Sequence, residues 1–445
     1  MITGSAVYHV VEAMAPLYTS AALGFASVRW LKAFSAEQCA GINHFVAIYA
    51  VPVLIFQMVS TNDPYNMNAR LVAADTLQKA VMLLGLMAWA AWASSRPSRR
   101  GSSKGGSGKA STAASASPLQ WVVTAFSVAA LPNTIIMGVP LLGGMYGPVS
   151  KELMKQIVVM QFCVWYNVVI FIYEYMAARR AATAAEGVSG AKISPASPAG
   201  EATPPPEKII ARDDVNVAAD RAHEVTVNIE ITEVAAASTA QKAVAADNTT
   251  TAALAEVVSS DQDVTAAAAA EDVPPPAHKS TAPSVGHIAL MAGKKVLKIP
   301  NTYASFLGLI WSLIAFKCGI KMPKIIDDSL FTIQTTAVGL SMFASGTFIA
   351  RQSRFVPCGY AIASVSMVLK FLVGPVVMLL ASLAIGMHGT LLHIAVVQAA
   401  LPLAVTSFVY AEEYKVHADI MSTGVILGIF ISLPVTIVYY ILLGL

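Results

Sequence analysis

Ala130-Leu131-Pro132-Asn133-Thr134 sits inside an apolar run from about Leu119 to Leu142, and Ala400-Leu401-Pro402 sits inside another, 270 positions later. A proline in mid-helix removes a backbone donor and clashes with the carbonyl four residues back. In lipid the freed backbone groups have no water to turn to, so such a break survives only where protein or a polar cavity surrounds it. Two broken helices in corresponding places of two halves point to the binding site of a transporter.

Composition agrees with a membrane setting. The 445 residues are 56% hydrophobic and 12% charged, with a mean hydropathy of +0.62, against roughly 25% charge in soluble domains. Crossing a bilayer takes about 20 mostly apolar residues. Stretches that qualify lie near 8–28, 38–59, 70–93, 119–141 and 153–177, then 301–319, 328–350, 356–384, 389–411 and 420–443. The expected fold is therefore an all-α integral membrane protein of about ten transmembrane helices. Its domains would be a membrane half over 1–178, a loop over 179–292 and a second membrane half over 293–445.

Charge sets the expected orientation. Arg29, Lys32, Arg96, Arg99, Arg100, Arg179, Arg180, Lys294, Lys295, Lys298, Arg351, Arg354 and Lys415 fall on one side, and Lys151, Lys155, Lys317, Lys321 and Lys324 on the other. The positive-inside rule makes the first side cytoplasmic and both termini extracellular. Five spans per half is an odd number, so the second half enters upside-down, a 5+5 inverted repeat. No cleavable signal is evident, because the first apolar run contains Glu12.

The connecting loop is of another kind. From Ala181 to Gly286 it carries fifteen acidic and six basic side chains, no aromatics, and two triple prolines at Pro204–Pro206 and Pro274–Pro276. Such a stretch buries too little apolar surface to offset its ordering entropy and reads as a disordered, acidic, Ala/Pro-rich cytoplasmic loop. Val225–Ile229 alternates like a short strand. The sequon at Asn248 is a chance match on a cytoplasmic loop. Gly101–Ser117 reads as a flexible linker.

Few residues could carry chemistry. Asn133 follows the first break; half-helix N-termini offer unpaired N–H groups and a positive dipole end to an anion. Its carboxamide either joins them at a ligand or caps the broken helix. Thr406 and Ser407, after Pro402, bond either a ligand or their own backbone. Asp75 and Lys79 are an i, i+4 pair at membrane depth: a coupling or gating pair, or a structural ion pair. Lys370 is a second intramembrane charge, with snorkelling as the rival reading, and Glu12 a third. Four scattered cysteines, no phosphate loop, no nucleophile elbow and no HExxH leave no catalytic or metal constellation. The expectation is no enzyme, no cofactor and no nucleic-acid partner.

A family resemblance then enters. Met1–Gly4, Cys39–Asn43, AADTLQK ending at Lys79, LPNTIIMGVPLL from Leu131, QIVVMQFCVWY from Gln156, NTYASFLGLIWSL from Asn301, KMPKII from Lys321 and the tail from Leu433 to Leu445 resemble the PIN-FORMED auxin efflux carriers of plants and streptophyte algae. The likeness covers both membrane halves and none of the loop. It implies the inverted-repeat fold of sodium/proton antiporters and bile-acid symporters, with the broken helices crossing at Pro132 and Pro402. It implies a homodimer whose substrate is indole-3-acetate, lined by Val51, Asn133, Gln161, Tyr166, Asn301 and Thr406. Asp75, with Lys79, would stand where sodium-coupled relatives hold a cation. Regulatory kinases acting on the loop are implied too, although this loop lacks the family's Arg-rich phosphorylation repeats.

The sequence departs from the family at Leu403–Ser407, where Gln-Gly-Ile-Val-Pro is usual, and at Ile55, Gln57, His44 and Glu12. These changes bear on substrate range more than on fold. The expected activity is potential-driven export of the indole-3-acetate anion, or of a related aromatic carboxylate, across the plasma membrane. The alternatives are a sodium- or proton-coupled organic-anion transporter, a ligand-binding receptor signalling through the loop, and an endoplasmic-reticulum location.

Overall fold

The computed structural model describes residues 4–95, 117–190 and 285–444. Val225–Ile229, Asn248 and all of the Gly/Ser linker except Ser117 lie outside the described residues. Everything described belongs to one compact unit, and its regular structure is helical.

The helices of the first half are α1 (Gly4–Arg29), α2 (Ala36–Ser60), α3 (Ala69–Ser95), α4 (Pro118–Ala130), α5 (Thr134–Tyr146) and α6. The last joins Pro148–Met160 to Tyr166–Gly190 through a π turn. The second half holds α7 (Val285–Val296), α8 (Pro300–Cys318), α9 (Lys324–Arg351), α10 (Tyr360–Ala384), α11 (Gly389–Ala399), α12 (Val405–Glu413) and α13 (Ala418–Gly444).

Six of these, α2, α3, α6, α9, α10 and α13, are long and apolar enough to cross a membrane. The α7–α8 pair, bent by 75°, gives a seventh. At 1.5 Å per residue the 13 residues of α4 reach about 20 Å, short of a 30 Å hydrocarbon core. They need α5 beyond the break to complete the distance, as α11 needs α12. The chain is an all-α membrane protein with a long central connection.

Among the described residues four π turns interrupt the helices, at Val46–Ala50, Thr134–Gly138, Gln161–Trp165 and Leu369–Val373. Three of them end two residues before a proline: Pro52, Pro140 and Pro375. The wider turn moves aside the carbonyl that the proline ring would strike and that has lost its donor. Freed carbonyls then find other partners. Phe371 O accepts from Tyr439 Oη at 2.7 Å, and at the turn without a proline Phe162 O accepts from Asn167 Nδ2 at 2.9 Å.

Packing between the halves is reciprocal. α1 lies along α9, α2 lies along α8, and α3 packs on α10. Glycines let the first pair approach backbone to backbone: a Cβ at Gly346 would strike Ala21 O, and one at Gly24 would strike Phe343 O. α13 presses on the second break in the same way, since a Cβ at Gly428 would stand 3.2 Å from Pro402 Cβ.

α6 continues to Gly190 and α7 begins at Val285, so both helices reach into the expected loop, 179–292. The Ala-rich run after Arg180 has high helix propensity. Ile288, Ala292 and Val296, spaced four apart, are buried on the face α7 turns to α6. Residues 191–284 lie outside the described residues.

Candidate functional site

The two breaks meet. Neither proline has an N–H to give, so the residues beside them make the bonds. The Asn133 N–H donates to Pro402 O at 2.8 Å and the Ala404 N–H to Leu131 O at 3.3 Å, an antiparallel bridge between Pro132 and Leu403. Gln161, on the π turn of α6, holds the first break from the side. Its Nε2 donates to Pro132 O at 2.8 Å, and its Oε1 accepts from Thr134 Oγ1 at 2.9 Å.

A cavity opens at this crossing. Val51, Leu54, Pro132, Asn133, Thr134, Ile135, Ile136, Gln161, Phe162, Tyr166, Ala404 and Thr406 line it. No lining residue carries a charge. Asn133 is 5% exposed and its side chain makes no capping bond, which leaves its carboxamide for the cavity. The N-terminal ends of α5 and α12 begin at the wall, so their dipoles add positive potential there. The space is about 20 Å³, room for about one water.

Five of the six expected lining residues, Val51, Asn133, Gln161, Tyr166 and Thr406, come together here. Asn301 stands outside the wall and donates from Nδ2 to Tyr410 Oη at 3.3 Å. Thr134, Ile135, Ile136, Leu54, Phe162 and Ala404 are wall residues that sequence reasoning missed. Thr134 was within reach of it, as the first hydroxyl after the break; the aliphatic ones carry no signal that separates a cavity wall from a lipid face.

Asp75 and Lys79 form an ion pair, both fully buried, on α3 and away from the cavity wall. Gln78 beside them donates to Gly374 O at 3.0 Å, tying α3 to α10. Lys370 is 1% exposed, so it does not snorkel, and its ammonium has no hydrogen-bond partner, as Asp75 Oδ2 has none. Glu12 is exposed, pairs with His9 at 3.3 Å, and lines an open cleft of about 590 Å³ with Lys151. Ile55 is buried and Leu403 is under the crossing, whereas Gln57 points to Asp327 at 3.5 Å. Among the described residues no His/Cys/Asp/Glu group could hold a metal ion.

Comparison with known proteins places the chain. The model of a family described as "Membrane transport protein" matches residues 9–102 and 108–440. "Probable auxin efflux carrier component 9" of Oryza sativa subsp. japonica is 72% identical over 453 residues, with all of both chains covered. The chain belongs to the auxin efflux carrier family. "Auxin efflux carrier component 8" of Arabidopsis thaliana is 35% identical over 448 residues, and "Probable auxin efflux carrier component 1d" of Oryza sativa subsp. japonica 33% over 579, each again with all of both chains covered. Auxin efflux carriers are transporters, not enzymes.

Proposed function

We propose that this chain exports the indole-3-acetate anion from the cytoplasm by alternating access around the Pro132–Pro402 crossing. The observation that carries the reading is an uncharged cavity where Asn133 and two half-helix N-termini converge. Dipoles hold a carboxylate firmly enough to select it and weakly enough to release it; a buried lysine in a dry site would bind too tightly to turn over. Val51, Leu54 and Ile135 offer apolar surface to an aromatic ring. Gln161 and Thr406 complete the polar side, while Asn301 acts from behind Tyr410.

Coupling to an ion gradient is unnecessary. A weak carboxylic acid is ionised in neutral cytosol, and an inside-negative potential favours its exit by about 2.3 kcal/mol per 100 mV. The reading places the chain in the plasma membrane as a homodimer, with both termini outside and the central loop, with any kinase sites on it, in the cytoplasm. The distribution of lysine and arginine supports that orientation. The reciprocal packing of α1 on α9 and α2 on α8 supports a 5+5 inverted repeat, because exchanging the halves turns one pair into the other. A competing reading, a cation-coupled carrier, would need the buried Asp75 carboxylate, which Lys79 already holds.

The test is efflux of labelled indole-3-acetate from cells expressing the chain. Export above that of empty-vector cells, lost in Asn133→Ala, supports the proposal. Binding of the acid to the purified protein without net flux in proteoliposomes would instead make it a receptor.

A further inference from the structure

Ile299 precedes Pro300, and the proline ring keeps it extended, at φ −75° and ψ 131°. Helix α7 therefore stops before α8 begins, and the two meet at 75°. The 19 residues of α8 reach about 28 Å, enough to cross the bilayer without α7. Spans tilt from the bilayer normal by about 20° on average, so a helix set at 75° to one lies nearer the membrane plane than its normal. With Leu297–Ile299 as the whole connection to the span, α7 stays at the membrane surface on the side of the central loop.

The faces of α7 suit that place. Ile288, Ala292 and Val296 are buried on the side turned to α6. Ala289 and Gly293 continue the apolar arc beyond what α6 covers. Leu290 and Leu297, seven positions apart and so in one line, close it while 59% and 62% exposed. Next to this line stand Lys294 and Lys298, both exposed, and neither has a salt-bridge partner among the described residues.

The charges around them leave a positive balance. The acids to set against the lysines are Glu174 on α6 and Glu412 and Glu413 at the end of α12. Glu174 accepts from Tyr414 Oη at 2.7 Å and faces Lys295 Nζ at 3.4 Å. Lys415 follows the α12 pair, and Arg180 Nη1 donates to the Tyr414 carbonyl beside it at 3.3 Å. With Arg179 also exposed on α6, these acids are matched, and Lys294 and Lys298 remain over.

We propose that α7 is an interfacial helix whose outer face binds anionic phospholipids of the leaflet on the loop side. Leu290 and Leu297 enter the acyl boundary, while Lys294 and Lys298 hold the charged headgroups above it. A solvated acidic chain would neutralise the lysines but leave the leucines in water, and the central loop, without aromatics from Ala181 to Gly286, is such a chain. A charged leaflet takes both kinds of side chain at once.

Quenching by brominated lipid tests this in the full chain. With the four native cysteines replaced by serine, Leu290→Cys carries a bimane label in proteoliposomes of phosphatidylcholine with a minority of phosphatidylserine, each lipid brominated in turn. Per mole, brominated phosphatidylserine should quench about fivefold more strongly, what one lysine near a charged leaflet contributes. Lys294→Gln with Lys298→Gln should bring the two lipids close to parity while phosphatidylcholine still quenches, and Lys294→Arg with Lys298→Arg should keep the preference. Equal quenching by both lipids in the parent would overturn the headgroup site. A label that neither lipid quenches would overturn the interfacial helix: open to iodide it faces water, and shielded from iodide it lies under the acidic loop or a second copy of the chain. Leu297→Cys is the second reporter, and monodispersity on size exclusion guards each variant against misfolding. Failure here leaves the proposed export untouched, since no transported anion is used.

Discussion

The Asn133 amide donates to the Pro402 carbonyl at 2.8 Å, and this bond between the two broken helices, like the one from Ala404 to Leu131, is made by main chain alone. The Asn133 side chain is left for something else. A substitution at this position therefore separates ligand binding from architecture in a way that few intramembrane polar residues allow.

Asn133→Ala should lose at least about 90% of indole-3-acetate efflux, the tenfold that roughly 1.4 kcal/mol of lost hydrogen bonding represents. Its thermal midpoint in detergent should stay close to the parent's. Gln161→Leu should behave differently, lowering both flux and stability. It strips a partner from the buried Pro132 carbonyl and the Thr134 hydroxyl, at about 1–3 kcal/mol for each group left unsatisfied. Fluorescence-detected thermal unfolding beside efflux separates the two outcomes. Equal destabilisation in both variants would make Asn133 a structural residue.

Gly346→Ala tests the seam between the halves. The added methyl group meets backbone, the Ala21 carbonyl, and cannot be relieved by turning a side chain. Overpacking of this kind costs about 1–3 kcal/mol, and here relief requires α1 to move off α9. Gly424→Ala is the control. Its Cβ would meet the flexible end of Leu403 at 3.1 Å, and its thermal midpoint should fall by less.

Much of this was legible in the sequence because lipid leaves few solutions. Apolar length located the helices, and the prolines located the crossing, since a break in hydrocarbon must be covered by something. The π turns before Pro52, Pro140 and Pro375 were not legible, because periodicity does not register one extra residue in a turn. The helical edges of the loop escaped for a different cause. The alanine-rich run after Arg180 carries helix propensity without the hydrophobicity that marks a packed element, and the apolar face of α7 at Ile288, Ala292 and Val296 is too short to read as a span. At the site, Asn133 stood out as the polar residue after the broken-helix proline, whereas Gln161 was reached only through the family resemblance. Asn301 came from the same resemblance, yet it bonds Tyr410, a relation between positions 109 apart that no local pattern encodes.

Asp75 and Lys79 are a fully buried ion pair, and Lys370 is a second buried lysine whose Nζ has no hydrogen-bond partner. Removing one member of a buried pair costs about 3–5 kcal/mol, because the other is left unpaired. The cost should be unequal here. Asp75→Asn leaves two buried lysines and no carboxylate among these three residues, while Lys79→Met leaves one of each. Asp75→Asn should therefore unfold at the lower temperature, and adding Lys370→Met to it should recover part of the loss. No recovery in the double variant would show that Lys370 is not part of the cluster.

The same cluster decides between a facilitator and a coupled carrier. If the membrane potential alone drives export, collapsing the sodium or the proton gradient while the potential is clamped leaves indole-3-acetate flux unaltered. Setting the clamp to zero then removes most of the driving force, about 2.3 kcal/mol per 100 mV for one charge. The structure gives a reason to expect this. The carboxylate that a cation would need is already taken by Lys79, and an entering ion would have to break a fully buried pair to reach it. Flux from proteoliposomes under valinomycin clamp, with sodium, potassium and pH varied one at a time, makes the measurement. A flux that falls with the sodium or proton gradient at constant potential, and loses that dependence in Asp75→Asn, would put the coupling ion at Asp75 and remove the facilitator.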